Sequence, residues 1–183
     1  MSARLLFGGF AAVALLGCHP VVASGNNQAP ANVTASSEAS VPVAAAPQDG
    51  WSQDPGSKCS FQAPRSLTAG PTNWIGECSD GKASGLGVLV RRDGGKAVAT
   101  FYGELRSGVP VIGAINVDGG YVVGKFVNGD LVQDELEPQV RIDSFTVAAK
   151  AARAASARFQ AQKNAASARF YADAAKQLDM QVE

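Results

Sequence analysis

Hydrophobic and polar positions change their pattern three times along this chain of 183 residues. Residues 5–17 form an almost unbroken apolar run, too short to span a membrane as a mature helix and typical of a secretory signal. Residues 59–132 alternate short β-branched runs with turn signals such as Asp93-Gly94-Gly95, which predicts β-hairpins. From about Ile142 an alanine-rich segment runs toward Asp179 and predicts one helix of about 35 residues. We therefore expect a β-rich fold, a small stack of antiparallel hairpins followed by a long C-terminal helix.

The apolar run ends in Leu15-Leu16-Gly17-Cys18, which resembles the lipobox of bacterial lipoproteins. The resemblance implies that the signal is cleaved before Cys18 and that this cysteine carries the lipid. The next residue is His19, whereas the inner-membrane retention signal of that family is typically Asp. The resemblance therefore implies an outer-membrane, lipid-anchored protein that faces the periplasm. An ordinary signal peptide with a chance cysteine is the alternative.

Four regions follow from these patterns: a signal peptide (1–17), a lipidated disordered tether (18–57), a β-hairpin module (58–140) and an alanine-rich helix (141–183). The tether is rich in proline, alanine and serine and cannot bury enough apolar area to offset the entropy of ordering. A flexible chain of its length has an end-to-end distance of about 35 Å. We expect it to let the β-hairpin module work away from the membrane.

The cysteines predict one covalent link. A lipid on Cys18 leaves Cys59 and Cys78, which we expect to form a disulfide in an oxidising compartment. Two free thiols or two metal ligands are the alternatives. The only histidine is His19, beside the lipid, so no further ligands accompany a metal and we expect none.

An internal repeat organises the β-region. Each copy has an apolar residue two positions before a glycine and another two positions after it, with a second glycine five positions on: Trp74-x-Gly76-x-Cys78-x-x-Gly81, Phe101-x-Gly103-x-Leu105-x-x-Gly108 and Val122-x-Gly124-x-Phe126-x-x-Gly129. Residues two apart share one face of a strand, so the middle glycine leaves room for a side chain of the neighbouring hairpin or for close backbone approach. The last glycine of each copy suits the positive φ of a hairpin turn.

This pattern is similar to the MORN repeat, a β-hairpin unit with the pattern Tyr-x-Gly-x-Phe-x-x-Gly. The resemblance covers about 60 residues. The first copy also carries the downstream Gly85-x-Gly87 of that family, the second has Gly113 one residue out of place, and the third lacks these glycines. The resemblance implies a stack of hairpins that serves as a protein-binding or lipid-associated scaffold.

One stretch comes close to a phosphate-binding loop, with Gly76 and Gly81-Lys82 at the required spacing. Ala83 stands where that loop needs Ser or Thr, and residues 86–90 read as a strand where it needs a helix. The glycine spacing also recurs in the other two copies without a lysine. We expect scaffold glycines and no nucleotide or other cofactor.

Catalytic residues are scarce as well. Glu77 and Glu104 hold equivalent places in successive repeats, but outward, solvated side chains are a commoner reason for such glutamates than sugar cleavage. With 16 basic and 16 acidic residues the chain gives no reason to expect a nucleic-acid partner. We expect a protein that is not an enzyme. The alternative is a small envelope enzyme or enzyme inhibitor that binds glycan or protein on its β-surface.

The alanine-rich segment contains its own repeat, Ala-Ala-Ser-Ala-Arg-Phe at 154–159 and again at 165–170. An offset of 11 residues brings Phe159 and Phe170 back to one side of a continuous helix. We expect the β-module to cover Phe159, while Phe170 and Leu178 overhang it and contact an envelope protein or a second copy. Packing of both rings on the chain's own β-module is the alternative. The sequence thus predicts a lipid-anchored interaction or scaffold protein of the cell envelope.

Overall fold

The computed structural model describes residues 50–132 and 136–182. Strands come first and helices last, which confirms the predicted β-rich class with a helical C-terminal region. Within these residues the elements are β1 Trp51–Gln53, β2 Ser60–Gln62, β3 Thr72–Ser79, β4 Lys82–Asp93, β5 Lys96–Arg106, β6 Val109–Val117, β7 Gly120–Val127, β8 Asp130–Leu131, α1 Pro138–Ala161 and α2 Ala165–Asp179. A 3-10 turn, Arg65–Leu67, lies between β2 and β3. The predicted signal, the predicted lipidation residue Cys18 and most of the predicted tether lie outside the described residues.

Antiparallel hairpins build one curled sheet. Strands β4 to β8 follow one another in order, and β3 pairs with β4 on the side away from β5. Strand β4 is 12 residues long, and its pairing with β5 begins only at Gly85. Before that point its first residue, Lys82, pairs with Ser79 of β3 and also takes Ser60 of β2 as a parallel neighbour. Strand β1 pairs with β2 in antiparallel fashion. The third predicted hairpin, β7–β8, is short, with only two residues in β8.

A tight turn joins the two strands of each repeat hairpin, β3–β4, β5–β6 and β7–β8. In each turn both central residues have positive φ, the pattern of the type I′ turn that matches the right-handed twist of paired strands. The glycine of the repeat holds the second position every time, as the sequence predicts: Asp80-Gly81 (52° and 72°), Ser107-Gly108 (49° and 85°) and Asn128-Gly129 (53° and 78°). The turn residues therefore fix where each hairpin reverses.

A row of glycines crosses the sheet from strand to strand. Gly103 in β5 pairs with Gly87 in β4 on one side and with Gly113 in β6 on the other. Gly113 in turn pairs with Gly124 in β7. Gly113 is one residue out of place in the repeat pattern, but its position in the sheet pairs it with Gly103 and Gly124 and so keeps it in this row.

Aromatic rings occupy the space beside two of the repeat glycines. A Cβ atom at Gly76 would clash with the ring of Trp74, and one at Gly103 would clash with the ring of Phe101 and the carbonyl oxygen of Ile112. The expectation that a neighbouring hairpin supplies the side chain is wrong, because each ring comes from the same strand, two residues earlier. Close backbone approach does occur at Gly103. Without a Cβ, the glycine lets the ring lie flat along its own strand.

Both faces of the sheet are covered, by different parts of the chain. The first core cluster joins the sheet to the helices and includes Val88, Val90, Tyr102, Ala114, Val123, Phe145, Ala148, Ala152, Tyr171 and Leu178. The second lies on the opposite face and includes Cys59, Phe61, Leu67, Trp74, Leu89, Phe101, Leu105, Ile115 and Phe126. Phe101 and Phe126 meet edge to face there, with ring centroids 5.3 Å apart. Each fully buried large apolar side chain contributes about 1.5–3 kcal/mol of hydrophobic stabilisation.

The segment before Cys59 is ordered, so the predicted end of the tether at residue 57 is wrong. Strand β2, which follows it, crosses the turns of the hairpins: the Ser60 amide donates to the Gly81 carbonyl at 2.8 Å and the Gln62 amide to the Gly108 carbonyl at 2.7 Å. The disulfide between Cys59 and Cys78, with Cα atoms 5.8 Å apart, joins this segment to β3 and confirms the predicted pair. The carbonyl groups of Gly81 and Gly108 gain hydrogen-bond partners from β2. Because backbone carbonyls need such partners, these bonds explain why β2 lies across the turns.

Asp54 anchors this N-terminal segment to β3. Its carboxylate accepts hydrogen bonds from the Ser57 amide at 2.6 Å, the Ser57 hydroxyl at 2.8 Å, the Asn73 side chain at 3.2 Å and the Trp74 amide at 3.0 Å. Burial acts to raise the pKa of Asp54, but these hydrogen bonds outweigh it and hold the pKa below its ordinary value. The Trp74 amide lies on the free edge of β3, so the carboxylate also blocks further strand pairing there.

The C-terminal segment is a pair of helices, and the prediction of one continuous helix is wrong. Helix α1 ends at Ala161, where the Asn164 amide donates to the Phe159 carbonyl and the Lys163 amide to the Gln160 carbonyl, both at 2.9 Å. Lys163 has φ of 59°, so these bonds form a Schellman motif. The Asn164 side chain then caps α2 by accepting from the Ser167 amide at 3.1 Å. The chain reverses, and α2 packs along α1 rather than overhanging the sheet.

Candidate interaction surface

Three aromatic side chains meet where the two helices pack together; Phe159, Phe170 and Tyr171 are called the aromatic patch here. The rings of Phe159 and Tyr171 stack in parallel, with centroids 5.5 Å apart and 3° between their planes. Phe170 meets Tyr171 edge to face, at 5.1 Å and 87°. Contacts in these geometries contribute about 0.5–1.5 kcal/mol each beyond the area they bury.

The patch rests on the sheet through Tyr171, which is 6% exposed. Its ring contacts Tyr102 of β5 at 6.5 Å between centroids. Burial raises the pKa of Tyr171, while the positive charge of Arg92 acts in the opposite direction. Tyr171 therefore links the surface of α2 to the core of the sheet.

Close helix packing holds the patch in place. The Ser156 hydroxyl of α1 donates to the Ala168 carbonyl of α2 at 2.8 Å, and both residues are buried. Alanines line the rest of the contact, with Ala151, Ala152 and Ala175 at most 2% exposed. Small side chains at these positions let the helix backbones approach closely. The aromatic patch is thus held both by the contact of Tyr171 with the sheet and by the packing of α1 against α2.

Charged groups surround the patch. Arg158, next to Phe159, pairs with Glu77 of β3 at 3.3 Å and so ties the end of α1 to the sheet. Arg153 pairs with Asp179 across the two helices. Arg169, beside Phe170, is exposed. Ion pairs of this exposed kind contribute about 0–1 kcal/mol, so they orient the helices more than they stabilise them.

The predicted contact residues divide into three environments. Phe170 is 61% exposed, the most exposed large hydrophobic residue among those described. Phe159 is half-buried and packs against the helix-side core. Leu178 is fully buried, so the expectation that it overhangs the β-module is wrong. The helix break causes this difference, because the reversal turns Leu178 back toward the core.

The two glutamates weighed above for sugar cleavage each pair with an arginine. Glu77 binds Arg158, and Glu104 binds Arg106 of its own strand at 2.8 Å. Among residues 50–132 and 136–182, no group of three or more His, Cys, Asp or Glu side chains could hold a metal ion. In the same residues no helix is long and apolar enough to cross a membrane. What the described surface offers best is contact through exposed apolar and aromatic groups.

Tyr171 and Asn164 are structural residues of this surface that are not among the predicted contact residues. Both had a signal in the sequence: Asn164 is a preferred helix N-cap, and Tyr171, Ala175 and Leu178 form an apolar stripe with helical spacing. Gln162 and Lys163 place two polar residues at the point where α1 ends. The 11-residue repeat concealed this break because it continues in sequence across the turn.

Comparison with protein-family models, with curated proteins and with solved structures finds no match to this chain in any of the three.

Proposed function

We propose that this protein is a lipid-anchored interaction module of the bacterial cell envelope, which binds a protein partner through the aromatic patch on its helical pair. The lipid is attached at Cys18, and the following segment tethers the module to the outer membrane on its periplasmic side. The repeat of glycines and hairpins supports a MORN-like scaffold for the β-module. The module acts by contact and without catalysis.

The exposure of Phe170 carries this proposal. A single exposed apolar residue is ordinary on a protein surface. Phe170 differs because its ring packs edge to face on Tyr171. Tyr171 in turn stacks on Phe159 and contacts Tyr102 of the sheet. A rigid aromatic ring loses little conformational entropy when a partner covers it, and such residues dominate the binding energy of protein interfaces.

A substitution at Phe170 tests the proposal. In crosslinked envelopes, tagged Phe170→Ser should lose the proteins that co-purify in fixed proportion with the wild type, by about thirtyfold in affinity for a contribution of about 2 kcal/mol. Self-association, measured by sedimentation of the purified protein, should fall in parallel if the partner is a second copy.

Met180→Ser is the matched control, because Met180 is 52% exposed on the turn that caps the same helix. It should retain the wild-type partners. Unchanged partners and unchanged sedimentation for Phe170→Ser would remove the support for the patch. In the same envelopes Cys18→Ser should leave the membrane fraction or fail to be processed, and a processed form that stays membrane-bound would overturn the anchor.

A further inference from the structure

Apart from the aromatic patch, Trp51 forms the floor of a shallow cleft at the hairpin turns. Trp51 opens β1 and pairs with Gln62 of β2. Its six-membered ring lies on Gly108, where a Cβ atom would stand 2.5 and 2.9 Å from two ring carbons and 3.0 Å from the Ser60 carbonyl oxygen. The glycine of the second turn thus makes the seat for the indole, in addition to closing its hairpin.

Polar groups of both charges line the cleft, which has a volume of about 480 Å³. The cleft is lined by Trp51, Ser60, Asp80, Gly81 and Lys82. The Lys82 ammonium lies 5.3 Å from the centre of the Trp51 ring. The cleft therefore combines a flat apolar surface with a carboxylate, an ammonium group and a hydroxyl.

The indole N–H of Trp51 differs from that of Trp74. The Trp74 N–H donates to the Glu77 carbonyl at 2.8 Å. For Trp51 no acceptor is found among the residues that the structure describes, and no buried polar side-chain atom there lacks a partner. No described residue therefore competes with a ligand for the Trp51 N–H.

The composition of the cleft selects among ligand classes. An anionic ligand is disfavoured by the Asp80 carboxylate, and an apolar ligand would strip water from Lys82 and Asp80 without replacing their hydrogen bonds. A sugar ring matches both features: its C–H face covers an aromatic surface, and its hydroxyls donate to a carboxylate and accept from an ammonium or indole N–H. The cavity also falls in the size range of small-molecule sites.

We propose that the Trp51 cleft is a carbohydrate-binding site, in which one neutral sugar ring stacks on the indole and hydrogen-bonds to Asp80, Lys82 and the Trp51 N–H. A stacked ring displaces the Lys82 ammonium from above the indole toward the rim. Binding is weak for a single ring, because the cleft is open, and increases along an oligosaccharide.

Nuclear magnetic resonance on the full chain, with its lipidation residue replaced for solubility, tests the site. The probes are neutral oligomers of N-acetylglucosamine and of glucose, added to about 10 mM to detect dissociation constants near the millimolar range. One of the two series should shift the indole N–H signal of Trp51 in a saturable way and leave that of Trp74 in place. Trp51→Leu and Lys82→Met should each weaken binding about tenfold or more. The exposed Lys96→Met is the control and should bind as the wild type does.

Several outcomes would overturn the site. One is an unmoved Trp51 signal with both sugar series, and another is a shift caused only by inorganic phosphate, which would mark an anion site. If Trp51→Leu does not fold, Lys82→Met decides alone, and full retention of binding in that variant contradicts the proposal. Phe170→Ser should bind the sugar unchanged, so this site and the protein-binding patch stand or fall separately.

Discussion

Replacing Gly103 with alanine tests whether the glycine row is essential to the sheet. The new Cβ would meet the ring of Phe101, which is fully buried, and the carbonyl oxygen of Ile112 on the paired strand. Neither group moves easily, because Phe101 packs against Phe126 and the Ile112 carbonyl belongs to the backbone. Overpacking of this kind costs about 1–3 kcal/mol. Since the clash involves backbone, we expect a loss of about 3 kcal/mol.

The sign of the effect is informative. Backbone entropy alone would make alanine more stable than glycine in the interior of a strand, by about 0.5–1 kcal/mol. The structure predicts the opposite, a melting temperature lower by about 10 °C for a module of this size. Urea unfolding and thermal melts of the purified protein, followed by circular dichroism, measure both quantities.

A control and a double variant complete the test. Gly94→Asn is the control, because no atom lies within 4 Å of a Cβ at that position and its φ of 52° is one that asparagine tolerates. It should cost less than about 1 kcal/mol. Combining Gly103→Ala with Phe101→Leu should cost less than the sum of the two, since the smaller side chain relieves part of the clash. A Gly103→Ala protein as stable as the control would refute the account of the glycine row.

Three further changes probe the N-terminal segment and the helix turn. Reducing the Cys59–Cys78 bond, which spans 19 positions, should cost about 3 kcal/mol of unfolding free energy, and equal urea midpoints with and without reductant would contradict this. Asp54→Asn should cost about 1–3 kcal/mol at pH 7. Because the folded pKa of Asp54 lies below its ordinary 3.8, the stabilisation is complete above that pH and is lost as the pH falls through the folded pKa. The cost of Asp54→Asn should therefore shrink in unfolding measured below pH 3.8, and a constant difference would refute the role of the carboxylate. Lys163→Gly should stabilise the protein by about 1 kcal/mol in the same assay, because glycine adopts the positive φ without strain, and a loss of stability would show that the turn is wrongly described.

The hairpins could be predicted from the sequence because their signals are local. A turn glycine such as Gly108 indicates a positive φ at its own position. Alternation along a strand assigns Trp74 and Ile75 to opposite faces. The position of Gly113 could not be interpreted from spacing alone. It depends on pairing across two strands, and the register shifts between Glu104 and Leu105, which a single sequence does not display.

The helix break and the N-terminal strand were missed for a different reason. The propensities around Lys163 favour a continuous helix, and the turn forms there because α2 gains more by packing Tyr171 and Leu178 against the core. Similarly, Trp51–Gln53 has little strand signal of its own, and its order comes from Asp54 and from the turn carbonyls that β2 binds. Long-range contacts decide both regions.

The aromatic patch was predicted only in part. A straight helix predicts Phe170 as a contact residue, yet its exposure in the structure results from the turn that ends α1. A straight helix also predicts that Leu178 is exposed, whereas Leu178 is buried. Helical spacing places Tyr171 on the apolar side of α2, but its support of the patch depends on Tyr102 on a distant strand, which no local pattern shows.

Site-specific photo-crosslinking at position 170 in living cells tests the central proposal most directly. Phe170 is replaced by a photoreactive phenylalanine derivative, and Met180 is replaced in the same way as the control. The account predicts a discrete, larger adduct from position 170 after irradiation, whose mass identifies either a second copy or another envelope protein, and no such adduct from position 180. The absence of any adduct at position 170, or the same adducts at both positions, would contradict it.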